Sequence, residues 1–222
     1  MSDGLDITLG KLSVVATPIG NLEDITLRAL RILKEADVVA CEDTRVTKKL
    51  LSHFDIHTPV VTLPKIPSLL TQGKHVALVS DAGTPGVSDP GQEIVSNARD
   101  AGALIEAIPG ASALAAALSV CGLRAATFVF YGFLPLKKGR QTLFAEIAAS
   151  ERSCVFYESP HRIMKTLQAL AEAIPLRRIG VYREITKMYE EHRVGTAEEV
   201  LAYFEQNEGK QRGEFVVIVE GE

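Results

Sequence analysis

What most restricts the fold of this chain is a rhythm: between Leu12 and Ala107, short β-rich runs alternate with stretches whose apolar residues recur at helical spacing. That is the pattern of a parallel sheet whose strands are joined by helices. The runs Leu12–Ala16, Val38–Cys41, Val60–Leu63, Val76–Ser80 and Leu104–Ile108 are the predicted strands. Ile25, Ala29, Leu33 and Ala36 place a helix between the first two, and Val46, Leu50 and Phe54 place one between the next two. Thr44 is the expected N-cap of that second helix. A further helix, from Ser112 to about Val120, is almost entirely small and apolar and is expected to lie buried against the sheet before ending at Gly122.

A second alternation follows. Its strands are predicted near Thr127–Tyr131, Cys154–Tyr157, Ile179–Arg183 and Phe215–Glu220, and its helices near Gln141–Ala149, Arg162–Ala173 and Thr196–Glu205. Thr196 and Glu199 have the spacing of a capping box. With 222 residues, 46% of them hydrophobic, the chain is long enough for two cores. We therefore expect two α/β domains, 1–123 with a mostly parallel sheet and 124–222 with a mixed one, joined at about Gly122–Ala126 with a ligand cleft between them.

Several classes of protein are disfavoured. No basic segment leads into an apolar run at the N-terminus, and no stretch approaches the roughly 18 apolar residues of a membrane span, so a cytoplasmic protein is expected. Cys41, Cys121 and Cys154 are too widely spaced for a zinc knuckle and odd in number, which suits buried, reduced thiols. The histidines lack metal-ligand spacing, and no metal is expected. The formal charge of −4 argues against a broad basic surface for nucleic acid, so any RNA contact is expected to be local.

Three glycine- and proline-rich turns follow predicted strands: Thr17-Pro18-Ile19-Gly20-Asn21, Ser80-Asp81-Ala82-Gly83-Thr84-Pro85-Gly86 and Pro109-Gly110-Ala111-Ser112. Loops at the carboxyl ends of parallel strands converge on the crevice where ligands bind. Glycine there allows close approach to the backbone, and Asp81 offers a carboxylate to a cationic or hydroxyl-bearing ligand. Any one such turn could be a plain βα connection; three together favour a ligand site. None has the spacing of a dinucleotide or P-loop phosphate motif.

Cys41-Glu42-Asp43-Thr44-Arg45 has two readings. Asp43 and Thr44 could cap a helix with Arg45 in solvent, or the carboxylates could orient or deprotonate an acceptor hydroxyl while Arg45 meets a phosphate. Tyr157-Glu158-Ser159-Pro160-His161-Arg162 and Arg183-Glu184-Ile185-Thr186-Lys187 are polar clusters at the ends of predicted strands. Leu136-Lys137-Lys138-Gly139-Arg140 is the densest basic patch, which with Arg45, Arg162 and Arg183 could form a small cationic rim.

These segments, taken in order with Val15-Ala16-Thr17-Pro18-Ile19-Gly20-Asn21-Leu22, resemble the ribosomal RNA small-subunit methyltransferase I family of the tetrapyrrole methylase superfamily. The resemblance implies S-adenosylmethionine as cofactor, a homodimer, and methyl transfer to a cytidine ribose 2′-hydroxyl in 16S ribosomal RNA, free or in the small subunit. Pro18, Asp81, Gly83, Thr84, Ala111, Ser112 and Tyr157 would contact the cofactor. Arg45, Lys137, Lys138, Arg140, Arg162 and Arg183 would face the RNA, and Glu42, Asp43 and Glu184 are candidates for a general base. The family usually carries a polar segment where Val60-Val61-Thr62-Leu63 here runs directly into Pro64-Lys65-Ile66-Pro67, leaving either a short loop or a missing lid. The competing expectations are a tetrapyrrole methyltransferase of the same superfamily and a non-catalytic nucleotide-binding or ribosome-assembly protein.

Overall fold

A computed structural model of the chain describes residues 9–222. Its contacts divide into two compact units, Met1–Ser112 and Ala113–Glu222.

The first unit runs β1 (Lys11–Val15), α1 (Leu27–Glu35), β2 (Val38–Cys41), α2 (Thr44–His53), β3 (Val60–Thr62), α3 (Ile66–Thr71), β4 (His75–Leu78), α4 (Gly91–Asp100) and β5 (Leu104–Ile108). The strands form one parallel sheet in the order β3-β2-β4-β1-β5. On one face Ala29, Ile32 and Leu33 of α1 and Leu51 of α2 pack against Val15, Val39, Cys41, Ala77 and Ile108. On the other, Ile66 and Leu70 of α3 and Ala98 of α4 pack against Leu12, Val38, Ala40, Val76 and Leu78. Burial on both faces is why the inner strands β2 and β4 read as nearly continuous apolar runs.

Local chemistry sets the helix starts. Thr26 caps α1 by accepting the Ala29 N–H. Of the two residues expected to cap α2, Asp43 does so by accepting the Arg45 N–H at 2.8 Å, and Thr44 is the first helical residue. Helical spacing does not reveal α3 or α4: α3 has only six residues after a 3-10 turn at Leu63–Lys65, and α4 is largely polar. The segment that departs from the family pattern thus passes from β3 straight into that turn and α3.

The second unit runs α5 (Ala113–Val120), β6 (Phe128–Phe133), α6 (Arg140–Ala148), β7 (Ser153–Glu158), α7 (Ile163–Ala173), β8 (Arg178–Arg183), β9 (Glu191–Thr196), α8 (Ala197–Gln206) and β10 (Phe215–Val219). Its mixed sheet has the order β6-β7-β10-β8-β9, with β6 parallel to β7 and the other pairs antiparallel. Phe144, Ile147, Leu167, Leu170, Val200 and Phe204 of α6 to α8 cover one face. On the opposite face the Tyr182 hydroxyl donates to the Cys121 carbonyl at 3.1 Å. That ring lies across Gly180, where an added Cβ would collide with the tyrosine oxygen. The capping box of α8 forms as its spacing requires, Thr196 accepting the Glu199 N–H and Glu199 accepting the Thr196 N–H.

By its contacts α5 groups with the second unit, touching β10. The expectation that it is buried needs correction, since only Ala117 is fully enclosed and Val120 is 51% exposed. An apolar composition states that a helix can be buried but not against which sheet or on how many sides. β9 lies outside the predicted strands as well: Glu-His-Arg-Val-Gly-Thr has no β-rich run, and its strand exists through antiparallel pairing with β8 from Arg183↔Glu191 to Arg178↔Thr196. All three cysteines are buried and free. Among the described residues no helix is long and apolar enough to cross a membrane.

Candidate functional site

In the first unit the site follows from strand order. β2, β4, β1 and β5 are consecutive neighbours, so the four segments leaving their carboxyl ends emerge side by side. Thr17 and Gly83 exchange backbone hydrogen bonds at 2.9 and 3.1 Å, tying the turn after β1 to the turn after β4. The Thr84 hydroxyl donates to the Ala111 carbonyl at 3.0 Å, tying the latter turn to the one after β5. The Asp43 N–H donates to the Asp81 carboxylate at 3.3 Å, which adds the segment after β2. Asp81, Gly83, Thr84, Ala111, Glu42 and Asp43 are thereby brought to one edge, and Pro18 and Ser112 lie in the same turns, Pro18 buried and Ser112 half-buried.

The glycines hold these turns together. Gly83 has φ +78° and an added Cβ would meet the Ile19 side chain at 3.2 Å, while one on Gly110 would meet the Ala16 Cβ at 3.0 Å. At these two positions close packing of turn on turn, in addition to any approach by a ligand, requires glycine. Asp89, absent from the predicted site residues, closes the long turn after β4 by accepting the N–H groups of Gly86 and Gly91, each at 2.7 Å. Its signal is present in the sequence, an aspartate flanked by glycines before a helix.

Electrostatics separates the carboxylates. Although Glu42 is exposed, desolvation of its carboxyl by neighbouring atoms raises its pKa from the ordinary value, reinforced by the negative charges of Asp81 and Asp89. Asp43 is held down at about 2 by hydrogen bonds from the Arg45 side chain and backbone. Arg45 is nonetheless 86% exposed at its side chain.

The second unit carries two polar constructions. Glu158, with a fully buried side chain, accepts from Arg162 at 2.8 Å and from the Thr166 hydroxyl at 2.5 Å, and stands 3.6 Å from Arg140. Arg140 also donates to Thr166 and to the Pro135 carbonyl, and Arg162 to the Leu134 carbonyl. Both arginines, expected on an RNA-facing rim, therefore brace the start of the Leu134–Gly139 loop from inside, and Lys137 and Lys138 stand exposed at its tip. Tyr157 is half-buried on β7 with its ring edge-on to Phe130 and Phe133.

The other construction follows β8. Arg183 donates to the carbonyls of Arg212 and Tyr189 at 2.6 and 3.1 Å, so its guanidinium too is engaged internally. Glu184 accepts from the Lys187 ammonium at 2.8 Å and from the Glu214 N–H at 2.9 Å. Burial pushes the Glu184 pKa up, but those donors and the charges of Lys187 and Arg183 outweigh it and leave it lowered.

A parallel sheet with its glycine turns gathered at one edge, followed by a mixed-sheet unit, defines a class of methyltransferase: residues 11–201 match the family of Tetrapyrrole (Corrin/Porphyrin) Methylases. Consistent with that fold, the chain superposes on uroporphyrin-III-C-methyltransferase from Thermus thermophilus with a TM-score of 0.66 at 24% identity, over 94% of each chain. Among its relatives, the chain is 46% identical to Ribosomal RNA small subunit methyltransferase I of Halalkalibacterium halodurans, over 96% of this chain and 76% of that one. It is 41% identical to the protein of that name in Thermotoga maritima, over 96% and 99%. The chain belongs to the ribosomal RNA small subunit methyltransferase I family of the tetrapyrrole methylases.

Proposed function

We propose that the protein transfers a methyl group from S-adenosylmethionine to the ribose 2′-hydroxyl of a cytidine in 16S ribosomal RNA of the small subunit, and that it works as a cytoplasmic homodimer. The observation that carries this reading is the junction of the Glu42–Arg45 segment with the Asp81 turn through the Asp43 N–H. It puts a carboxylate able to take a proton beside turns of the kind that hold ligands. The relatives' names supply the RNA.

The residues at this edge fit the cofactor. A molecule bearing a sulfonium, an ammonium and ribose hydroxyls suits an edge where Asp81, Glu42 and Asp89 concentrate negative charge. Pro18, Asp81, Gly83, Thr84, Ala111 and Ser112 would hold it, and when bound it supplies a methyl group already activated by positively charged sulfur. The chain's own task is then to place the acceptor oxygen in line and to receive its proton. Glu42 suits the proton, since a raised pKa makes a carboxylate a stronger base. Arg45 and the Lys137–Lys138 tip are the exposed cations for the RNA backbone.

Purified protein should methylate undermethylated small ribosomal subunits, with the new group mapped to a cytidine 2′-oxygen, and should leave tetrapyrrole precursors unchanged. Methylation of a tetrapyrrole and not of the RNA would overturn the proposal. Binding without any methyl transfer would mark a non-catalytic protein.

A further inference from the structure

The loop joining β8 to β9 combines two features not absorbed by the reaction. Its interior is tightly fixed. Glu184 and Thr186 are non-glycine residues in the left-handed region, at φ 51° and 69°. Such conformations persist where surrounding contacts over-determine them, and they cluster at functional loops. Here the contacts are the Lys187 ammonium bridging Glu184 and Glu214, the Thr186 N–H on the Glu190 carboxylate at 2.6 Å, and Arg183 holding the Tyr189 carbonyl. Gly213 has no room for a side chain, since a Cβ there would lie 2.6 Å from Glu184 Cγ.

The tip of this rigid mount is apolar. Met188 is 90% exposed and Tyr189 68% exposed. The cations of the loop are matched internally, Lys187 by two carboxylates and Arg183 by two carbonyls with Glu191 at 4.0 Å. The loop is therefore poorly suited to gripping phosphate. It offers instead a tyrosine ring and a polarisable thioether on a backbone that Arg183 holds through the Tyr189 carbonyl.

We propose that the Met188–Tyr189 tip is a binding site for an unpaired nucleobase of the RNA substrate, with Tyr189 as the stacking platform. The proposal rests on the ribosomal RNA reading above. Unpaired bases splayed from RNA loops stack on aromatic side chains, and a loop backbone already anchored loses less freedom in doing so than a mobile one. Because such stacking is face-to-face and uncharged, it contributes affinity without adding to the salt dependence that phosphate neutralisation produces.

The test uses the full chain with undermethylated small subunits. Tyr189→Ala should raise KM for the subunit by about tenfold, in the range of a single base stack, with kcat and the salt dependence of KM unchanged. Tyr189→Phe should behave as wild type. The natural sequence contains no tryptophan, so Tyr189→Trp creates a single emitter at the tip. Its fluorescence should be quenched when the subunit binds. An unaltered KM in Tyr189→Ala with wild type fully active, or unquenched emission at saturating subunits, would overturn the proposal. So would a change in the mass of the assembly on Tyr189→Ala, which would show that a second copy covers the tip. A wild-type protein unable to methylate the subunit would instead bring down the ribosomal reading on which the proposal stands.

Discussion

Glu42, Asp43 and Glu184 are the same kind of group in the sequence, acids in short charged clusters, and only their surroundings give them different chemistry. Glu42 is partly desolvated, faces other carboxylates and is raised, whereas Asp43 and Glu184 are each held by a cation and lowered. Glu42→Gln should reduce kcat by about 100-fold, the usual scale of general-base catalysis, and should abolish the acid limb of the wild-type kcat profile, which the environment of Glu42 displaces upward from that of a free glutamate. Asp43→Asn should leave kcat nearly intact and alter acid stability. A carboxylate whose folded pKa of about 2 lies below its ordinary 3.8 stabilises the fold fully above the ordinary value, and that effect disappears as pH falls through about 2. In acid unfolding followed by circular dichroism, the advantage of wild type over Asp43→Asn should vanish across that interval.

Among the elements, those specified by short-range chemistry were legible and those specified by pairing were not. The α8 capping box was readable from Thr196 and Glu199, and Thr196→Ala should cost about 1 kcal/mol of stability, measured by urea unfolding. The Tyr157–Arg162 segment was recognisable as a polar cluster, but its use was hidden, because the partners of Glu158 include Arg140 on a different helix. Glu158→Ala leaves two largely buried guanidiniums without their carboxylate, and should destabilise the protein by about 3 kcal/mol in the same experiment. Glu158→Gln, which keeps a hydrogen-bond acceptor, should recover part of that stability. The tip at Lys137 and Lys138 should become more susceptible to protease in Glu158→Ala, since its bracing starts at this carboxylate.

For the molecule as a whole, the charge of −4 limits how RNA can be held. With Arg140, Arg162 and Arg183 turned to internal partners, the exposed cations named for the RNA reduce to Arg45, Lys137 and Lys138. Replacing Lys137 and Lys138 together by alanine should therefore weaken binding to the small subunit and lower the slope of log affinity against log salt by up to about 2, one for each phosphate left without its lysine.

The parallel rhythm, nine of the ten strands among the described residues, the capping box of α8 and the glycine turns are all legible in the chain, because these depend on residues within a turn or a pleat of one another. Tertiary structure alone decided that β4 inserts between β2 and β1, that β9 pairs as a strand, that α5 joins the second unit, and which carboxylate is raised. The physical reason is common to all four. Strand pairing, helix docking and pKa depend on partners distant in the chain, and local pattern carries no record of which distant residue a side chain will meet.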